Sequence, residues 1–181
     1  MPLKSPLKVV LIGRHKLANE AYFAIKALEG VAITKIIQSS TKSITADTIP
    51  PDCDLIICAH NSAYIEPGAI AKCKLGAISY HPSLLPRHRG GSAVEWVIRM
   101  REPVTGGTVY WMDQGRDTGP IANQRHCFVK ASDTARTLWY RELLPLGVDL
   151  LVQTVEEVQL GICSRLEQDE QHATWEPCLS V

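Results

Sequence analysis

Apolar runs and polar breaks alternate along the first half of the chain, and the length of each run separates strands from helices. Val9 to Ile12, inside "KVVLIG", is a continuous apolar run closed by Gly13. That is the pattern of a strand buried on both faces, as in a parallel sheet. The next segment, "KLANEAYFAIKALEG", repeats apolar residues at helical spacing through Leu17, Ala21, Ala24, Ile25 and Leu28 and stops at Gly30, which predicts a helix ended by glycine. "VAITKIIQ", Val31 to Gln38, is β-branched and predicts a second strand. The polar, proline-bearing "SSTKSITADTIPPDC" has no period and reads as loop. "DLIICAH" (Asp54 to His60), "EPGAIAKC" with Pro67 in its first turn, and "GAISYH" (Gly76 to His81) then predict strand, short helix and strand. This alternation predicts an α/β fold with a doubly wound sheet.

In the second half, "SAVEWVIRMR" (Ser92 to Arg101) reads as a helix, with Ser92 as its cap and Glu95 at capping-box spacing. "GGTVYWMD" and "IANQRHCFV" predict two strands facing each other across the turn-rich "QGRDTGP". "SDTARTLWYRELLPLGVDLLVQTVEEVQLG" predicts a long amphipathic helix, capped by Ser132 or Asp133 and kinked or divided at Pro145. The tail after Gly161 is polar and is expected to run over the surface.

Length and charge narrow the picture. The 181 residues, 45% of them hydrophobic, suit one globular domain over 1–181, with a core at about 7–161, a surface tail at 162–181 and no C-terminal domain. Lys+Arg and Asp+Glu are equal at 19 each, so no global field draws nucleic acid or an anionic membrane, and any anion site must be local. The apolar run near the N-terminus is too short for a signal-peptide core, no run approaches a membrane span, and a cytoplasmic location is expected. The six cysteines show no paired CxxC spacing; they read as free thiols in a reducing compartment, without a zinc site.

Chemistry concentrates in "SYHPSLLPRHRGG", residues 79–91. Ligands of open α/β sheets bind beyond the carboxyl ends of strands, and His81 falls at such an end. Pro82, Pro86 and the Gly90–Gly91 pair would set the path of the loop, while Arg87, His88 and Arg89 supply local positive charge. Taken alone, His81 reads either as a catalyst or as a satisfied structural histidine. Asp117, in "DQGRDTGPI", reads either as its partner or as an ordinary turn residue. "IGRHK" after the first strand lacks the GxGxxG of a dinucleotide site. His15, His60 and His126 have no metal-ligand spacing, and Trp96, Trp111 and Trp139 read as core packing.

"HPSLLPRHRG" and "DQGRDTGPI", with His81 and Asp117 standing 36 positions apart, together resemble the folate-dependent formyltransferase family. The resemblance runs from "KVVLIG" to about Gly161, and "ISYHPSLLPRHRG" with "SDTARTLWYRELLPLG" is most similar to the hydrolase domain of 10-formyltetrahydrofolate dehydrogenase. It implies a Rossmann-like, mostly parallel sheet with helices on both faces. It also implies His81 and Asp117 as the catalytic pair, 10-formyltetrahydrofolate as formyl donor without a metal, and an acceptor amine as the second small-molecule partner. The pterin-side positions that carry over are Asn61, Ser62 and Ala63 on one loop and Asp113, Gln114 and Gly115 on another.

The chain departs from the family at two places. Ser79 stands where the family carries an Asn that donates to the formyl oxygen. Ser79 moves weight toward hydrolysis, with release of formate, and leaves an inactive folate-binding relic as a further alternative. The stretch from Gln38 to Asp54 is short, so the sheet is expected to be shortened on one side, with an edge that a second subunit of a homodimer would cover.

Overall fold

The computed structural model describes residues 5–39 and 42–179 and divides into two compact units. The first comprises Met1–Tyr80 with Leu151–Cys163, and the second His81–Leu150 with Ser164–Val181. Among the described residues six strands, four of them parallel, with intervening helices give the α/β class that the alternation predicts and the Rossmann-like fold that the resemblance implies.

In the first unit, β1 (Leu7–Gly13) pairs in parallel with β2 (Val31–Gln38) on one side and β3 (Leu55–Ala59) on the other, and β3 pairs with β4 (Ala77–His81). Val9, Val10, Leu11 and Ile12 are sealed from water, as the unbroken apolar run requires of a strand covered on both faces. α1 (His15–Lys26) turns Leu17, Ala18, Ala21 and Ile25 inward. α2 (Pro67–Ala71) opens on the proline anticipated in its first turn, where no N–H is needed. The order β2-β1-β3-β4 sends the chain one way from β1 and then back across it. The gap between the carboxyl ends of β1 and β3 is therefore a topological switch point. Among the described residues, one 3₁₀ turn, Ala46–Thr48, and a bridge between Ile44 and Ile65 interrupt the connection from β2 to β3. β2 keeps Thr34, Lys35 and Ile36 exposed.

In the second unit, α3 (Ala93–Arg99) precedes β5 (Val104–Trp111), which pairs antiparallel with β6 (Ile121–Phe128). Leu85, Tyr110 and Ile121 form a small buried cluster with Met112 against it. α4 (Ala135–Leu138) passes through one wide π turn, Trp139–Leu143, into α5 (Leu144–Gln159), whose residues from Leu151 on belong to the first unit. Pro145 has no N–H for the carbonyl of Arg141, so the ladder widens just ahead of it. The anticipated break at Pro145 thus takes the form of a π turn.

Several expectations are corrected. Ser92 occupies the N-cap position of α3 but is left-handed, with φ 62°, and makes no capping bond; its Oγ instead accepts from the N–H of Leu179 at 3.1 Å. Thr134, not Ser132 or Asp133, caps α4, in a capping box with Thr137; Asp133 accepts from the N–H of Lys130 and pairs with Arg141. Cys53 and Cys73 are joined by a disulfide, with Cα atoms 4.9 Å apart, so not every cysteine is a free thiol. Of the three tryptophans expected in the core, Trp111 is buried, whereas Trp96 and Trp139 are half-buried. Gln168 within the tail is buried, and its flanking Glu170 and Thr174 fasten onto the "PRHRGG" loop at Arg89 and His88.

Candidate active site

His81 ends β4, with 7% of its surface exposed. From there the chain turns through Ser83 to Leu85 under the control of Thr108 of β5, itself fully buried. The Thr108 hydroxyl donates to the Ser83 carbonyl at 2.7 Å, and its oxygen accepts from the Leu85 N–H at 3.2 Å and from Gln124 Nε2 at 2.8 Å. The Leu85–Pro86 peptide that follows is cis. The loop then bends back on itself at His88 and Gly90, with φ of 55° and 93°, a conformation that glycine accepts freely and that a histidine holds only when its surroundings impose it.

Those surroundings are specific. The His88 N–H donates to Thr174 Oγ1 at 2.8 Å. Its ring, 2% exposed, lies between two carboxylates, with Nε2 3.1 Å from Glu102 and Nδ1 3.0 Å from Glu176. These are close contacts without good hydrogen-bond angles, since neither ring nitrogen has a hydrogen-bond partner. Burial by itself would raise the Glu102 carboxyl, but Arg87 and His88 together hold it below its ordinary value.

The bend returns the His88 carbonyl to His81, where Nε2 lies 2.6 Å from the oxygen. A carbonyl only accepts, so Nε2 carries the proton and Nδ1 is the nitrogen left for chemistry. That nitrogen faces Asp117 Oδ2 at 3.7 Å.

Asp117 sits in the connection between β5 and β6 with φ 59°. Both of its oxygens are held: Tyr110 Oη–H donates to Oδ1 at 2.7 Å, and the Gly90 N–H donates to Oδ2 at 2.7 Å. The turn closes at Gly119, where a Cβ would stand 1.8 Å from the Trp111 carbonyl oxygen. No other residue fits that approach.

The structure therefore brings together the pair predicted from the two motifs. Tyr110, which supplies one of the two bonds to Asp117, had read only as a strand residue; the signal for it was its place at the end of β5, a few residues ahead of the motif aspartate. Ser79 is half-buried on β4, two residues before His81 and so on the same side of the strand's pleat.

Asn61, Ser62 and Ala63 follow β3 beside the switch point. Asn61 Oδ1 accepts from Ser39 Oγ at 2.7 Å and from the Ala63 N–H at 3.0 Å, which shapes a tight Asx turn. Asp113 makes a similar turn on its own loop, accepting from the Gly115 N–H at 2.9 Å and from Thr118 Oγ1 at 2.8 Å. Asp113, Gln114 and Gly115 are exposed. His15, His60 and His126 are likewise exposed. Although His60 is exposed, partial desolvation of its ring by the surrounding atoms, then the charges of His15 and Arg14, lower its pKa.

A cavity of about 590 Å³ lined by Ile98, Arg101, Glu102, Pro103, Val129 and Lys130 contains none of the predicted site residues. Among the described residues, no group of three or more His, Cys, Asp or Glu is arranged to hold a metal, and no helix is long and apolar enough to cross a membrane.

An imidazole at a strand end, facing a carboxylate whose oxygens are both held, is an arrangement suited to proton transfer. The sequence model of the family described as Formyl transferase matches residues 14–155, and the chain belongs to that family. It is 45% identical over 113 residues to the mitochondrial 10-formyltetrahydrofolate dehydrogenase of Mus musculus, across 62% of this chain and 12% of the relative. It is 37% identical over 152 residues to the cytosolic 10-formyltetrahydrofolate dehydrogenase of Xenopus laevis, across 83% of this chain and 16% of the relative. The chain thus spans less than a fifth of the length of these two curated relatives. Among solved structures it shares its fold with the formyltransferase PseJ of Anoxybacillus kamchatkensis, solved in complex with a formamido sugar nucleotide and tetrahydrofolate. The TM-score is 0.75 at 24% identity, covering 93% of this chain and 85% of that one.

Proposed function

We propose that this chain removes the formyl group of 10-formyltetrahydrofolate and delivers it to an acceptor amine, with His81 and Asp117 as the proton-handling pair. The observation that carries the reading is the geometry around His81. Nε2–H is fixed on the His88 carbonyl, which leaves Nδ1 facing a carboxylate anchored by Tyr110 and Gly90.

The residues present fit such a donor. Attack on a formyl carbon requires one group to take a proton from the nucleophile and another to place a proton or hydrogen bond on the oxyanion or the departing nitrogen. Bound 10-formyltetrahydrofolate would supply an activated formyl carbon with tetrahydrofolate as the leaving group. Asp117 takes up the nucleophile's proton, directly or through a water. His81 Nδ1, which carries no proton while Nε2–H is held on the His88 carbonyl, receives that proton from Asp117 and passes it to the departing nitrogen. Their side chains, 9% and 14% exposed, keep bulk water from competing for these bonds. Asn61, Ser62 and Ala63, and separately Asp113, Gln114 and Gly115, are the positions assigned to the pterin side, through groups other than the Ser62, Ala63 and Gly115 N–H, which the side chains of Ser39, Asn61 and Asp113 already occupy.

A second reading, hydrolysis to tetrahydrofolate and formate, is favoured by Ser79, which stands in place of an amide donor, and by relatives named 10-formyltetrahydrofolate dehydrogenase. The test is spectrophotometric consumption of 10-formyltetrahydrofolate by the purified chain, with and without candidate amines, beside His81→Ala. Dependence on one amine supports transfer. Consumption indifferent to every amine, yet abolished in His81→Ala, replaces transfer by hydrolysis. Folate binding without consumption under any condition overturns both.

A further inference from the structure

Within the polar tail, Gln168 is 8% exposed while the residues around it lie open to solvent. Its amide is fully engaged. Nε2 donates to the backbone carbonyls of Asp117 and Gly119, at 3.0 and 2.7 Å. Oε1 accepts from Arg89 Nε and Nη2, at 3.0 and 2.8 Å. Two carbonyls require donors and a guanidinium requires an acceptor, so the amide has only one satisfactory orientation.

Arg89 is 1% exposed. A buried guanidinium must be paired on all sides, and Glu170 pairs with its Nη1 and Nη2 at 2.9 and 2.6 Å while the Trp175 ring lies 5.5 Å from its centre. The residue after it, Gly90, is the one whose N–H holds the Asp117 carboxylate.

The bonds close a ring. The Asp117 carboxylate is held by the Gly90 N–H, Arg89 precedes Gly90 in the chain, the Arg89 side chain is held by Gln168, and Gln168 returns to the Asp117 carbonyl. We propose that Gln168 is a positioning residue for the proposed formyl-transfer reaction, fixing the Asp117 side chain against its own backbone. The proposal rests on the assignment of Asp117 to proton handling. Gln168 touches no reacting atom. Its work is to keep the left-handed Asp117 turn from relaxing, which would swing the carboxylate away from His81.

Glu170 supplies the control, because it anchors the same tail to the same arginine without touching the Asp117 turn. The substitution Gln168→Met keeps the side-chain volume and removes every hydrogen bond, whereas Glu170→Gln weakens the anchor alone. Steady-state kinetics for 10-formyltetrahydrofolate should show kcat reduced about tenfold or more in Gln168→Met. KM for the folate should stay near the parent value in that variant. The NMR titration of the His81 imidazole, which needs no turnover, should be displaced in Gln168→Met and unchanged in Glu170→Gln.

An unchanged His81 titration in Gln168→Met overturns the proposal, and so does a kcat loss matched by Glu170→Gln. If the parent chain shows no turnover, the functional reading fails, and the titration still decides whether Gln168 governs the pair. If Gln168→Met does not fold, Gln168→Glu, which keeps the bond to Arg89 and loses the donors to the turn, is read by the same two measurements.

Discussion

His81 Nδ1 and Asp117 Oδ2 stand 3.7 Å apart, beyond hydrogen-bond length, although each is held firmly from its other side. The pair is therefore fixed in place without being consumed by its own contact. Replacing either residue by Ala should lower turnover by about 10²-fold or more, the usual scale of a lost proton-transfer group. Circular dichroism and thermal melts should remain those of the parent. Tyr110→Phe removes one bond to a carboxylate and leaves the ring packed against Leu85 and Ile121. It should reduce kcat less than Asp117→Ala does. Near-parental rates in His81→Ala or Asp117→Ala would remove the pair from the mechanism.

Ser79 tests how transfer and hydrolysis divide. It lies two residues before His81 on β4, and a hydroxyl reaches less far than an amide. Ser79→Asn should raise amine-dependent consumption of 10-formyltetrahydrofolate, on the order of tenfold if the missing donor limits the rate. The comparison is the ratio of amine-dependent to amine-independent rates in the two proteins. A fall in that ratio would mean that Ser79 itself serves the transfer reaction.

Most of the frame was legible because burial on both faces writes itself into composition. Val9 to Ile12 and Leu55 to Ala59 are sealed strands, and no polar residue interrupts either run. The pair of His81 and Asp117 was legible only through its two motifs together, since each residue alone had an ordinary structural reading. Gln168 was invisible because "RLEQDEQHATWEP" has no period, and a buried glutamine looks like its exposed neighbours until its partners are known. The same tail explains the failed cap. Ser92 carries the residue type and spacing of an N-cap, but its hydroxyl is engaged by the incoming Leu179 N–H, a partner that lies 87 residues away. Cys53 and Cys73 lay outside any recognised spacing, and only the fold brings them within bonding distance.

The remaining thiols divide by burial. Burial pushes Cys58 up to about 12, and burial followed by the charge of Glu142 pushes Cys127 up to about 11. Both are thiols rather than thiolates at pH 8, and both are shielded, whereas Cys163 and Cys178 are exposed. Iodoacetamide at pH 8 should therefore modify Cys163 and Cys178 in the folded protein. Cys58 and Cys127 should react only after denaturation, and Cys53 and Cys73 only after reduction as well. Peptide mass spectrometry reads each site, and rapid native labelling of Cys58 would contradict the buried β3.

Glu102 ties acid stability to the motif loop. Its carboxylate pairs with Arg87 and lies 3.1 Å from His88 Nε2, and these partners outweigh burial to hold it below its ordinary value of 4.5. A carboxyl with a depressed folded-state pKa contributes stability that is fully present above its unfolded value and is lost as pH falls through the folded value. The parent protein should thus melt at a higher temperature than Glu102→Gln at pH 6 to 7. The gap should close as pH drops below about 4.5, because both proteins then carry a neutral side chain at this position. Thermal melts of the two proteins across pH 3 to 7 make the comparison directly. A melting difference that persists undiminished at the acid end would assign the effect of the substitution to packing around Arg87 and His88 rather than to the charge of Glu102.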